Sequence, residues 1–341
     1  MDARENFLSC LSMNEHERIP TFIFDTSFGC SILGCNVSDL YRDGFDAELS
    51  AKSISAGRRF LGHDGMVGAT SCGDTRVFGA EIELRDDRPS MITRPAFSDP
   101  SQLYKQSPYQ MDDTVDELAH SNSLLRGIEK DAFIAGYVPS PFLLCAVLRG
   151  LEPLLMDLVM DKTYVEDLLE FSKKIEMTMN ERICSEGSCD AILIPGAYDN
   201  VDLIGLDALE RFCIPNLVEM RERVSSFGLP TIFHPHGALT TGPGVKALEL
   251  FMDTGFDCIY YGEDVDHRKF RELTKGRCSM MGGIDTASTI YLGPDDRVIR
   301  DTEDVLKQTD GADYIFTCSC SVDAYLDRKR LKLMIDTVRE H

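Results

Sequence analysis

Four side chains at two predicted strand tips carry the densest chemistry in this chain of 341 residues. Phe233-His234-Pro235-His236-Gly237 ends an apolar run from Leu229 to Phe233, and Cys318-Ser319-Cys320 ends another from Tyr314 to Thr317. Two imidazoles and two thiols are the raw material of a zinc site that keeps one position open for substrate. In an extended segment, residues i and i+2 point to the same side. The spacing therefore lets His234 and His236 face one ion, and Cys318 and Cys320 likewise. Each pair also has an ordinary reading, a turn feature for His-x-His and core packing for Cys-x-Cys. Arrival at two nearby strand ends is what favours a shared metal.

Such strand tips need a frame. Short apolar runs alternate with long amphipathic stretches, the pattern of parallel strands joined by helices. The expected strands are Thr21–Phe24, Gly65–Ala69, Ala132–Gly136, Ala191–Ile194, Thr231–Phe233, Cys258–Tyr261, Ser279–Gly283 and Tyr314–Thr317. Helices are expected from Lys162 to Ser185, Leu206 to Ser226, Gly244 to Thr254, His267 to Leu273, Asp301 to Gln308, and Val322 to Glu340 at the close. Eight strands with intervening helices predict an α/β fold, a (β/α)8 TIM barrel with an N-terminal extension and inserted helices. The whole of residues 1–341 is read as one barrel domain. Arg76 to Ile92 reads as an added hairpin, and Ser140 to Leu151 as an inserted helix. An open doubly wound sheet is the rival architecture.

In a barrel, the residues just past each strand line the active mouth. Here they are Asp25 and Thr26, Tyr198 and Asp199, His234 and His236, Glu263, Asp285, and Cys318 with Cys320. Thr241-Gly242-Pro243-Gly244 can cradle an anion at a helix start or serve as a plain loop. No G-x-G-x-x-G opening a helix, no phosphate-binding P-loop and no G-x-S-x-G elbow is present.

The formal charge of −22 argues against nucleic acid or an anionic membrane as partner. No run of 18 apolar residues predicts a membrane span. The first residues lack the basic and apolar regions of a signal peptide, so a cytoplasmic location is expected. In that setting the twelve cysteines are expected to be mostly reduced. The ten outside the Cys-x-Cys pair, Cys72 among them, have no ligand-like spacing and read as small apolar residues.

Several segments together resemble the uroporphyrinogen decarboxylase-like superfamily, and within it the cobamide-dependent branch that includes methylcobamide:coenzyme M methyltransferases. They are Asn6-Phe7-Leu8 leading to Glu17-Arg18-Ile19-Pro20, Gly136-Tyr137-Val138-Pro139-Ser140-Pro141-Phe142, Val201-Asp202-Leu203-Ile204, Gly282-Gly283-Ile284-Asp285, and Tyr314 through Cys320. The resemblance covers nearly the whole length. It implies a zinc-dependent methyltransferase that exchanges a methyl group between a small molecule and a corrinoid on a partner protein. That branch carries a His-x-Cys motif near the fifth strand and a Cys after the last. His234 matches its first ligand and Cys320 its last, with Glu263 or Cys318 as a further candidate. On this reading of the barrel mouth, Glu263, Asp199 and Asp285 are expected to do catalytic work, and Tyr198, Asp25 and Tyr137 to contact substrate.

One position departs from the branch: His236 stands where its thiol-methylating members have Cys. Zinc with two neutral imidazoles and one thiolate keeps about one positive charge and is the stronger Lewis acid. That suits polarising the oxygen of a methoxy compound better than holding a thiolate that attacks a methyl group. The alternative is a metal-free porphyrinogen decarboxylase working through rim carboxylates such as Asp25 and Asp285. The arginine-rich clamp of that branch is not evident after Pro20, where Thr21-Phe22-Ile23-Phe24-Asp25 follows.

Overall fold

Among the described residues, ten short strands form in chain order: β1 (Phe22–Ile23), β2 (Gly65–Val67), β3 (Glu81–Glu83), β4 (Met91–Arg94), β5 (Phe133–Tyr137), β6 (Ala191–Gly196), β7 (Thr231–Pro235), β8 (Cys258–Tyr260), β9 (Ser279–Ile284) and β10 (Tyr314–Cys318). The structure, a computed structural model, describes every residue except Cys72 and Asp310, so the reading of Cys72 lies outside the described residues. Eight strands pair in parallel in the order β1-β2-β5-β6-β7-β8-β9-β10, and β3 pairs with β4 in a separate antiparallel hairpin. A parallel bridge between Thr21 and Phe316 joins the last strand to the first. There the Phe316 N–H donates to the Pro20 carbonyl at 2.9 Å. The sheet thus closes into the expected barrel, and the doubly wound alternative is excluded.

Side-chain alternation divides the core in two. Phe22, Phe24, Val67, Tyr137, Leu193, Ile232, Tyr260 and Ile315 share the cluster inside the barrel. Their neighbours Ile23, Met66, Ile194, Phe233, Ile259 and Phe316 belong to the larger cluster against the surrounding helices. The extension, Ala3–Leu11, begins with an Asp2/Glu5 capping box and sends Phe7 and Cys10 into the inner cluster. Phe7 stacks on Phe133 with ring centroids 3.9 Å apart. A Cβ on Gly65 would lie 2.6 Å from the Phe7 ring, so this plug requires glycine there.

The inserted helices form at Pro141–Arg149, Leu151–Met160 and Lys162–Ser185. Ser140 caps the first by accepting from the Leu143 N–H. The closing helix starts at Arg328 rather than Val322. Backbone at Val322 is spent on the barrel seam instead, donating to Phe24 and accepting from Thr26, and Asp327 supplies the cap by accepting from the Lys329 N–H. The expected helix from Leu206 to Ser226 is interrupted by a wider turn at Leu209–Cys213 before it resumes at Ile214. No helix among the described residues is long and apolar enough to cross a membrane.

Candidate metal centre

β7 delivers His234 in phase with Ile232, so the ring enters the barrel rather than the helix layer. Its Nδ1 lies 2.8 Å from the Tyr260 carbonyl oxygen. A carbonyl can only accept, so Nδ1 carries the proton and Nε2 presents a lone pair. The Tyr260 ring stacks on the imidazole at 3.9 Å and 21°. Nε2 is buried and has no hydrogen-bond partner among the described residues. Leaving such an atom unpaired costs roughly 1–3 kcal/mol, which a bond to a metal would offset.

His236 stands two residues on, its ring centroid 4.8 Å from that of His234. Its Nε2 lies 3.7 Å from Cys320 Sγ, and its Nδ1 lies 3.7 Å from Glu263 Oε1. Gly237 then turns the chain at φ +106°, where a Cβ would also approach Asn200 Oδ1 to 2.5 Å. Only glycine allows the chain to leave this way.

Cys320 is placed by a bend rather than by strand pleating. β10 stops at Cys318, and the Cys320 N–H donates to Thr286 Oγ1 at 3.1 Å. The Thr286 N–H donates in turn to Ser319 Oγ at 3.1 Å. The donor atoms of His234, His236 and Cys320 lie within 4.8 Å of one another. Ligands bound to zinc at about 2.0–2.3 Å sit roughly 3.3–3.8 Å apart, so a small closing movement satisfies the ion. Three protein donors leave the fourth position free.

The electrostatics are those of an ionised pair. Burial alone would raise the Cys320 thiol, but the two imidazoles outweigh it and lower the pKa to about 5. Burial opposes charge on His236, yet Cys320 and Glu263 raise it to about 10. The hydrogen bond with His236 chiefly holds Glu263 down at about 2, against its own partial burial. A thiolate and an anchored lone pair are what a metal requires; the His236 proton must leave for it to bind.

The structure also sorts the remaining candidates. Glu263 reaches His236 and stands behind it, oriented to hold the ring. Tyr137 faces the barrel interior, its ring 6.0 Å from Phe24, which is itself 6.0 Å from His234. Four expected site residues and one ligand are not brought to this centre. Cys318 points outward in phase with Phe316, with its sulfur 3.6 Å from Met334 Sδ. Burial pushes that thiol up to about 12, and the same-side rule fails because the strand ends between the two cysteines. Asp199 is fully buried behind the sheet and accepts from Ser140 Oγ. Asp25 turns outward and accepts from the Phe28 and Gly29 N–H groups at 2.6 and 3.0 Å. Asp285 accepts from the Ser288 N–H at 2.6 Å, capping the turn that carries Thr286. Tyr198 packs against the outer cluster.

Sequence reading missed Tyr260, whose carbonyl sets the His234 tautomer and whose hydroxyl donates to the Cys318 carbonyl at 2.8 Å. Its inward phase on β8 was the available signal. Thr286 and Ser319 were missed too, and nothing in their spacing announces a role.

A methylcobamide:CoM methyltransferase, MtbA, of Methanosarcina mazei is 21% identical over 306 residues, covering 87% of this chain and 85% of that one. The solved structure of a methyltransferase from Methanosarcina mazei superposes with a TM-score of 0.83 at 17% identity, covering 100% of this chain and 99% of the other. A B12-independent methionine synthase from a Shewanella species superposes at 0.57 and 14% identity, covering 95% and 96%. At these identities the superpositions establish the barrel alone. The family model for uroporphyrinogen decarboxylase (URO-D) matches residues 2–341, and the chain belongs to that family.

Proposed function

We propose that this chain is a methyltransferase that moves a methyl group between a small molecule and a corrinoid carried by a partner protein, using zinc held by His234, His236 and Cys320. We read it as one barrel domain, residues 1–341, acting in the cytoplasm. The observation that carries the proposal is the buried, unpartnered Nε2 of His234 beside the His236 and Cys320 donors. The likeness to a methylcobamide:CoM methyltransferase supports the corrinoid partner.

Zinc bound there would supply a Lewis acid at one heteroatom of the substrate. The chain's own groups do the rest. The Tyr260 carbonyl keeps the His234 proton on Nδ1. Glu263 faces His236 Nδ1 and fixes that ring. Cys320 enters already ionised. Phe24 and Tyr137 give the floor an apolar surface that excludes water. A neutral imidazole from His236, where related enzymes carry a thiolate, favours an oxygen-bound methyl group as donor. The decarboxylase reading has less support, because Asp25 and Asp285 are committed to backbone N–H groups.

Metal analysis of purified protein beside His236→Ala tests the proposal. About one zinc per chain, reduced in the variant, is expected. Metal-free protein after reconstitution with zinc would sink it.

A further inference from the structure

The hairpin β3–β4 roofs a cavity of about 370 Å³. Ser321, the residue after Cys320, lines it, and so does Thr26 past β1. Its bulk is apolar: Val37, Phe45, Ile82, Ile92 and Val147 contribute wall. Tyr41 and Phe45 place two rings there with centroids 5.8 Å apart.

Its polar features are specific. Among the described residues lining it, the charged ones are Arg76 and Asp74. They neutralise each other: Arg76 Nε donates to Asp74 Oδ1 at 2.7 Å and Nη2 to Oδ2 at 2.6 Å. Nη2 also donates to the Tyr41 carbonyl at 2.8 Å. An anionic ligand would meet a cation already engaged, inside a protein of charge −22. Burying an anion without a partner is costly. Two wall residues, Thr75 and Ser90, carry buried hydroxyls with no partner among the described residues. Hydroxyl groups suit neutral oxygen acceptors.

Resting on the methyltransferase reading, we propose that this cavity holds the methyl donor, and that the donor is an uncharged, single-ring compound bearing a methoxy oxygen. The apolar wall takes the ring, Thr75 and Ser90 meet its oxygens, and the paired Arg76 denies an anchor to sulfonates or carboxylates. The size sits in the lower part of the usual range for small-molecule pockets, about 300–1,000 Å³.

The test is equilibrium binding to the zinc-reconstituted protein by calorimetry and ligand-observed NMR, with 2-methoxyphenol, toluene and 2-sulfanylethanesulfonate as probes. Saturable binding of 2-methoxyphenol is expected, at least tenfold tighter than the sulfonate. Val147→Trp, which fills the cavity, should weaken it at least tenfold. The double variant Thr75→Val, Ser90→Ala should weaken 2-methoxyphenol about tenfold and leave toluene unchanged, a contrast that misfolding cannot imitate. Equal or tighter binding of the sulfonate, no binding of 2-methoxyphenol, or equal losses for 2-methoxyphenol and toluene in the double variant would overturn the proposal. The same titration with His234→Ala separates the two claims. A His234→Ala variant that loses zinc yet binds 2-methoxyphenol supports both claims, whereas unmutated protein that takes up no zinc yet binds 2-methoxyphenol keeps the cavity and removes the metal reading. Zinc-loaded protein that binds only the sulfonate keeps the metal and removes the cavity assignment.

Discussion

The β7–β10 side of the barrel mouth and the β1–β6 side carry similar polar residues, yet they use them in opposite ways. On the first side, His234, His236, Glu263 and Cys320 point at one another and leave a buried lone pair unused. On the second, Asp25 turns into the helix layer and accepts from backbone N–H groups, and Asp199, buried behind the sheet, accepts from a serine hydroxyl through Oδ2. Position just past a strand is common to both. The phase of the side chain decides which residues can meet a substrate and which only hold helices in place.

The largest effect should come from His234→Ala. Zinc content should fall from about one per chain to near zero, and methyl transfer below detection, with the fold retained by circular dichroism. A variant that keeps its metal would place the ligands elsewhere. Next is Glu263→Gln, which keeps the shape but removes the charge facing His236. Zinc affinity should fall roughly 10–100-fold, read by competition with a chelator; an unchanged affinity would mean that Glu263 does not support the ring.

Proton linkage sharpens the same contrast. Cys320 is ionised above about 5, whereas His236 holds its proton up to about 10. Between those values, zinc uptake must displace the His236 proton while Cys320 has none to give. Affinity should therefore rise as pH goes from 6 to 9, by up to about tenfold per unit. Calorimetry in buffers of different ionisation enthalpy should register proton release. A pH-independent affinity would show that His236 is not a ligand.

The opposite side predicts silence at the metal. Asp25→Ala should keep zinc and cost about 1–2 kcal/mol of stability through the lost cap. Burial raises the Asp25 carboxyl to about 7. A carboxyl raised on folding binds more protons in the native state, so its contribution weakens as pH climbs from about 4 to 7. Asp25→Asn keeps an acceptor without the charge and should cost less than the alanine change at pH 8. Smallest of all, Cys318→Ala should leave metal untouched and cost about 1 kcal/mol. Zinc lost from either Asp25 variant would erase the distinction between the two sides, and zinc lost from Cys318→Ala would make that outward thiol of the metal side a ligand.

The barrel was legible because its strands are short apolar runs and the main helices between them are long amphipathic stretches, and the hairpin announced itself by its turn at Arg85-Asp86-Asp87. His234 and His236 were legible for the same reason: β7 runs through Pro235, so alternation holds to its tip. Cys318 was misplaced because β10 ends on it and the bend that swings Cys320 inward depends on Thr286, thirty-odd residues away in sequence. Asp199 and Asp25 lie away from the metal centre, which their letters cannot show, because a carboxylate that braces a helix and one that faces a substrate are the same residue. Which they are is set by burial against Ser140 and by the turn at Phe28 and Gly29, neither of which spacing reveals.

The seam between Thr21 and Phe316 has a consequence for how the chain comes into being. Synthesis proceeds from the first strand to the last, so β1 waits with one edge unpaired until β10 leaves the ribosome. The same wait applies to His234 and His236, which precede Cys320 by more than eighty residues. Throughout that interval the growing chain presents two open parallel edges, the kind of surface that recruits other chains. A chain interrupted before Tyr314 would carry both hazards at once, an unclosed sheet and a pair of imidazoles with no thiolate to complete them.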